Sequence, residues 1–244
     1  AGYKPFVTIY STFLQRAYDE IMEDVCLQDL PVVFAIDRAG IVGADGETHH
    51  GVFDLSYLKH MPNLTVMAPQ DGAELESMME LAAKLDGPCA IRYPRGTAPQ
   101  LGGACHGEPL EIGRSIRLRE GKDADIWALG SMVEKALDAA ELLKKHGVEV
   151  GVVNMRFAKP LDADALQEAA KAHDLIVTLE DNVLTGGAGE EIDALLINEN
   201  TRVVNMGWPD TFIEHGSCDQ LYHAYCLDAA AIAERIKKEL EGER

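Results

Sequence analysis

The sequence predicts an α/β fold made of two αβ units, each with a mostly parallel sheet covered by helices. Three observations carry this. Short apolar runs without polar alternation recur along the chain, the mark of strands buried on both faces. Between them lie stretches whose apolar residues fall at helical spacing. The joints between these stretches are dense in Gly, Pro, Asp and Ser, which punctuate elements. The composition fits a globular chain of this class: 244 residues, 47% hydrophobic and 26% charged.

The elements follow in order. Phe6–Tyr10 (FVTIY) reads as a buried strand. Ser11 and Thr12 are N-cap candidates for a helix over 13–28, with Leu14, Ala17, Ile21, Val25 and Leu27 as its apolar stripe. After Pro31 comes a second strand over 32–36, then a Gly-, Asp- and His-rich segment over 37–51 that is too long for an idle turn. A short strand over 64–67 leads to a helix over 72–85 capped by Asp71, and a fourth strand covers 89–93. Residues 97–109 shift to Gly, Ala, Pro and Gln, so one unit is expected over 1–100, a linker over 101–118 and a second unit over 119–244. In the second unit strands are expected over 125–129, 148–153, 175–179 and 203–205. Helices are expected to about 146 from Gly130-Ser131, to 173 from Asp162, to 197 from the Gly186–Gly189 turn, and at the C-terminus from a cap at Asp228.

Charge and cysteine usage bound the function. Asp and Glu number 41 against 22 Lys and Arg, a formal net charge of −19. Such a surface repels nucleic acid and anionic membranes, so neither is an expected partner. No signal-peptide pattern and no 18-residue apolar stretch occurs, which leads to a cytoplasmic expectation. Cys26, Cys89, Cys105, Cys218 and Cys226 are scattered and form no C-x-x-C pair, the pattern of reduced thiols. The opening AGYKPFVTIY enters a strand almost at once and reads as a cut inside a larger protein.

In open α/β sheets ligands bind at the carboxyl ends of strands. The groups expected there are Tyr10 and Phe13, Asp37 and Arg38, Asp45 and His49, and Arg92 and Arg95. Guanidinium forks match phosphate or carboxylate oxygens, so Arg38, Arg92 and Arg95 together suggest an anion pocket; pairing of each with a local acid is the plainer alternative. Tyr10 and Phe13 are either core packing or a flat platform for a heterocycle, with Arg16 one turn further on. His49, in a Gly-rich loop, is available as an acid or base near neutral pH. Gly186–Gly189 either cradles an anion at a helix start or allows close backbone packing. No metal-ligand spacing fits His49, His50, Asp45 and Asp54.

Longer blocks carry a resemblance. YSTFLQRAYD (10–19), FAIDRAGIVGADGETHHGVFDLSYL (34–58), IRYPRG (91–96), MRFAKPLD (155–162), TLEDNVLTGGAG (178–189) and FIEHGS (212–217) resemble the 1-deoxy-D-xylulose-5-phosphate synthase family, itself similar to transketolase. The resemblance runs over essentially the whole chain. It implies thiamine diphosphate and Mg²⁺ as cofactors and the decarboxylating condensation of pyruvate with glyceraldehyde 3-phosphate, which feeds non-mevalonate isoprenoid synthesis. It implies that Phe13 packs against the cofactor's aminopyrimidine with Tyr10 beside it. Arg38 and Arg95 resemble the pair that holds a substrate phosphate, with Arg16 at the same pocket. Asp45 and His49 resemble active-site groups that orient the pyruvate-derived intermediate, and His49 also resembles a proton-transfer group.

Two family features are missing: the G-D-G…N diphosphate and Mg²⁺ motif, and the glutamate that activates the thiazolium. The resemblance therefore implies most of the pyrimidine-binding domain plus a whole C-terminal domain, with an N-terminal domain and a second copy of the chain as partners. It also implies that the chain by itself is inactive. A split transketolase subunit or a 2-oxo-acid dehydrogenase β-type subunit is the alternative. A catalytically inactive interaction module is the alternative of another class.

Overall fold

The structure, a computed structural model, describes residues 2–101 and 110–242. Two five-stranded sheets form, each mostly parallel. The first has β1 (Phe6–Tyr10), β2 (Val33–Asp37), β4 (Cys89–Arg92), β3 (Thr65–Met67) and β8 (Phe157–Lys159), in that spatial order. The second has β10 (Arg202–Trp208), β9 (Leu175–Val183), β6 (Ala124–Ala128), β7 (Val150–Asn154) and β5 (Ile116–Arg119). The apolar runs in β2, β4, β6, β7 and β9 are buried nearly throughout, because helices cover both faces.

Three apolar cores hold the layers. On the outer face of the first sheet, Val33, Met67, Cys89 and Ile91 pack with Met78 and Ala82 of α3 (Gly72–Lys84). On the outer face of the second, Ile126 and Val152 pack with Val133 and Ala140 of α4 (Met132–Lys144) and Ile236 of α8 (Ala229–Glu241). Between the sheets lies a shared core. There Leu14 of α1 (Ser11–Leu14), Leu58 of α2 (Asp54–Leu58), Leu166 of α5 (Ala163–Ala172) and Ile192 of α6 (Ala188–Leu195) meet Ile36 and Trp127. Strand β8 crosses from the second half of the chain to pair antiparallel with β3, so the halves share a sheet as well as a core.

Three helix starts follow the sequence closely. Asp71 accepts from the Glu74 amide at 2.9 Å, Asp162 from Ala165 at 3.4 Å and Asp228 from Ala231 at 2.8 Å. The helix expected over 13–28 is different. It splits into α1, a 3₁₀ turn at Gln15–Ala17 and a wide π-helical stretch at Glu20–Cys26. The wide turn inserts one residue and rotates the chain. Cys26 enters the core after Leu14 and Ile21, whereas Leu27 turns out to 71% exposure. Ser11 and Thr12 do not cap it; the cap position is Tyr10, and the Thr12 hydroxyl donates to the Thr48 carbonyl instead.

Two further differences concern short elements. β5 begins inside the expected linker and pairs antiparallel with β7. Helix α7 (Cys218–Ala224) carries a capping box on Ser217 and Gln220. Cys26 and Cys89 are buried free thiols, Cys218 is half-buried and Cys226 exposed; Cys105 lies outside the described residues.

Candidate active site

Strand register sets the site. Tyr10 pairs with Asp37 across β1 and β2, and Ile36 pairs with Arg92 across β2 and β4, so the carboxyl ends of three strands align. Beyond β2 the chain turns through Arg38, at a left-handed φ of 57°, into the Gly-rich loop. That loop is closed by a bridge in which Gly40 N–H donates to Gly51 O at 2.7 Å and Gly51 N–H to Gly40 O at 2.8 Å. Gly40 can only be glycine. Its φ is +78°, and a Cβ there would lie 1.9 Å from the Asp181 carboxylate.

Above these strand ends lies a cavity of about 560 Å³ lined by Phe13, Arg16, Glu47, His49, Phe53 and Phe212, among others. Phe13 is 43% exposed, unusual for an aromatic so close to the core. It stacks on Tyr10 with ring centres 5.4 Å apart and planes 10° from parallel, and meets the edge of His49 at 5.7 Å. The Arg38 guanidinium lies 3.8 Å over the Tyr10 ring. Thr48 Oγ1 and His49 Nδ1 are hydrogen-bonded at 2.9 Å, which leaves Nε2 of His49 without a protein partner among the described residues. The exposure of Phe13 departs from the core-packing reading.

The arginines divide. Arg92, expected in the anion pocket, is only 4% exposed. Its Nε donates to Asp54 Oδ2 at 3.0 Å, and its Nη2 donates to the carbonyls of Gly51 and Asp181. Burial disfavours its charge, but Asp54 beside it and Asp181 and Glu180 further off more than compensate, so its pKa lies above the ordinary value. Arg92 thus pins the two halves together and is withdrawn from the pocket. Arg38 is paired with Asp37, and Arg95 with Asp45 at 3.1 Å. Arg16 has no acid partner among the described residues and lines the cavity. Arg95 and Asp37 line a second cavity, about 450 Å³, shared with Ser131, Lys135 and Tyr222 of the other half. The loop bearing Asp45 and His49 touches both places.

Under the site sits a polar run in β9 that sequence reasoning passed over. Glu180, Asp181 and Asn182 are at most 1% exposed. Asp181 accepts from Trp208 Nε1 at 2.7 Å, Tyr222 Oη at 2.8 Å, Ser131 Oγ at 3.3 Å and the Ile41 amide at 3.3 Å. Glu180 accepts from the Ala188 and Gly189 amides, both at 2.9 Å. The Gly186–Gly189 turn packs close on its surroundings: a Cβ on Gly187 would stand 2.4 Å from Glu180 and one on Gly189 2.5 Å from Asn205, and the amides at the helix start receive the chain's own Glu180 carboxyl. Burial still prevails, and the Glu180 pKa is raised from 4.5 to about 7 despite those two amides, Lys59 and Arg92. The readable signal was three consecutive polar residues in an otherwise apolar strand. Phe212 was given no role either, although it opens the FIEHGS block that carries the resemblance.

Among the described residues, no group of three or more His, Cys, Asp or Glu side chains is placed to hold a metal ion. No helix of the described residues is long and apolar enough to cross a membrane.

Comparison with known proteins places the chain. The transketolase pyrimidine-binding domain matches residues 1–100, and the transketolase C-terminal domain matches residues 113–232. A 1-deoxy-D-xylulose-5-phosphate synthase of Caldanaerobacter subterraneus subsp. tengcongensis is 50% identical over 99% of this chain and 39% of its own length. That of Aromatoleum aromaticum is 49% identical over 97% of this chain and 38% of its own. The chain thus spans about two-fifths of these curated relatives. A transketolase structure from Pichia stipitis superposes with a TM-score of 0.78 at 21% identity, over 97% of this chain and 34% of its own, a likeness of fold alone. A solved split-gene transketolase, described as an inactive beta4 tetramer, superposes with a TM-score of 0.86 at 32% identity, covering 98% of this chain and 77% of its own. On that coverage and the domain matches across both halves, the chain belongs to the transketolase family.

Proposed function

We propose that the chain forms the pyrimidine-binding and C-terminal part of a thiamine-diphosphate-dependent 1-deoxy-D-xylulose-5-phosphate synthase, which condenses pyruvate with glyceraldehyde 3-phosphate and releases CO₂. The observation that carries this is the exposed Phe13, stacked on Tyr10 and edged by His49, at a cavity that also holds an arginine with no acid partner among the described residues. A flat heterocycle and an anionic substrate both fit that lining. Nearly 50% identity to synthases of this name supports the substrate pair.

Thiamine diphosphate, when bound, would supply the electron sink that 2-oxo-acid decarboxylation needs. Phe13 and Tyr10 would hold its ring. His49, with Nε2 unclaimed among the described residues, would take up or return a proton at the reacting carbon's oxygen. Asp45 would orient that group while its partner Arg95 turns toward phosphate. Arg38 and Arg16 would complete the phosphate contacts, with Arg16 engaging first because it has no carboxylate to leave. Mg²⁺ finds no donor set among the described residues, so none of this chain's side chains is assigned to it.

The proposal includes the division into units 1–100 and 119–244, an N-terminal domain and a second copy of the chain as partners, and a cytoplasmic setting. The exposed edge strand β1, with Phe6 at 44% and Val7 at 37%, supports a covering partner there. The split-gene transketolase likeness favours one second reading, a subunit of a transketolase that works with a separate diphosphate-binding chain. Co-expression with an N-terminal segment of a synthase that carries both the diphosphate motif and the activating glutamate decides between them. Product from pyruvate and glyceraldehyde 3-phosphate supports the synthase, and this chain by itself is expected to give none. Two-carbon transfer from ketose phosphates, without use of pyruvate, would replace it with the transketolase reading. No turnover with either would leave an inactive module.

A further inference from the structure

The loop bearing Asp45 and His49 does not stand on the first half of the chain alone. His50 is 3% exposed and has both ring nitrogens engaged by backbone. The Val42 amide donates to Nδ1 at 3.3 Å, so Nδ1 carries no proton. Nε2 lies 3.2 Å from the Glu214 carbonyl, which can only accept, so Nε2 carries the proton. One imidazole therefore spans from the loop to the segment 211–217 of the other half. The same two segments touch elsewhere. A Cβ on Gly43 would stand 2.9 Å from Gly216 O, a Cβ on Gly46 would stand 3.2 Å from His215 Cβ, and the Gly216 amide donates to Gly43 O at 3.5 Å. Segment 211–217 also carries Phe212, 75% exposed, set edge-on to Phe53 on the wall of the same cavity. The amides of both His49 and His50 donate to Gly46 O, which ties the backbone of His49 to the clamped turn.

We propose that His50 is a positioning residue: its imidazole clamps the His49 loop to the Phe212 segment, so that one junction sets two walls of the ligand cavity. This rests on the reading of that cavity as the cofactor and substrate site, and it extends that site to the C-terminal half. His50 also lines the cavity, but with both ring nitrogens taken by backbone it offers a ligand no free polar atom. A glutamine can replace it, since an amide offers one acceptor and one donor; leucine can do neither.

Hydrogen–deuterium exchange on the full chain tests the clamp without any ligand. In His50→Leu, amides in 43–51 and 211–217 should exchange together at least ~10-fold faster, the scale of one buried hydrogen bond lost, while β2 and β4 stay unchanged. His50→Gln should restore both segments. Unchanged exchange in His50→Leu, or one segment loosening without the other, overturns the proposal. Should His50→Leu fail to fold, His50→Asn, too short to reach both partners, takes its place with the same expectation. In the co-expressed enzyme, His50→Leu should weaken thiamine diphosphate binding, read by tryptophan quenching, about tenfold, and His50→Gln should recover it. Loosened segments with unchanged cofactor affinity and an unchanged KM for glyceraldehyde 3-phosphate would overturn the positioning role. A wild-type enzyme that binds no thiamine diphosphate would overturn the functional reading, while the exchange result would still decide the clamp.

Discussion

Replacing Glu180 by glutamine should change how the stability of this protein depends on pH, and the structure gives the sign and size. The carboxyl group is buried beneath the start of α6, and its pKa rises from 4.5 to about 7 because burial outweighs the two amides it accepts from. The folded state therefore holds a proton that the unfolded state has already released between those values. A raised folded pKa stabilises fully below the unfolded value, and that stabilisation is lost as pH climbs through the folded value. At ~1.4 kcal/mol for each tenfold change in proton affinity, the whole effect is on the order of 3 kcal/mol, most of which falls between pH 5 and pH 8. Glutamine does not titrate. Urea unfolding of both proteins, followed by the fluorescence of the buried Trp127 and Trp208, gives the difference in stability at each pH. The wild type should lose about 2–3 kcal/mol relative to Glu180→Gln as pH goes from 5 to 8; other carboxylates cancel in the comparison. An equal difference at both pH values would refute the reasoning and mean that Glu180 is ionised throughout.

Gly40→Ala places a methyl group 1.9 Å from Asp181 Oδ2 at a φ of +78°, and both faults act at once. Thermal unfolding should show a loss of about 3 kcal/mol or more, or no folded protein; a melting point near wild type would remove Asp181 from its role as the hub under the loop. Asp45→Asn frees Arg95 from its exposed ion pair, so inorganic phosphate should compete about threefold better against substrate in the co-expressed enzyme while turnover falls. Unchanged phosphate inhibition would mean that Arg95 does not meet the phosphate.

What could be read from sequence divides along the range of the interactions. Strand and helix identity, and the caps at Asp71, Asp162 and Asp228, depend on residues within a turn or two of each other, and these follow the reading closely. β8 depends on a pairing partner some ninety residues away in β3 and is three residues long, too short to show a period. The wide turn at Glu20–Cys26 depends on which of Val25 and Cys26 the shared core accepts, a choice made by α2 and the second sheet.

The arginines show the same division within the site. Arg38, Arg92 and Arg95 look alike as strand-end cations, and nothing near Arg92 in sequence marks it as the buried one. Its partner Asp54 comes from α2, and its carbonyl acceptors from the loop and from β9. Removing either charge would leave the other buried and unpaired, which costs about 3–5 kcal/mol, so Arg92 cannot swing out to meet a ligand. Arg95 holds Asp45 at the surface, where such pairs contribute little and exchange readily, whereas the Arg38–Asp37 pair is half-buried beside Tyr10. A chain with a net charge of −19 would repel a phosphate at long range, so the proposed phosphate site depends on these pairs opening locally. Burial, then, separates the arginine that builds the site from those that can serve it, and burial is what a single sequence does not show.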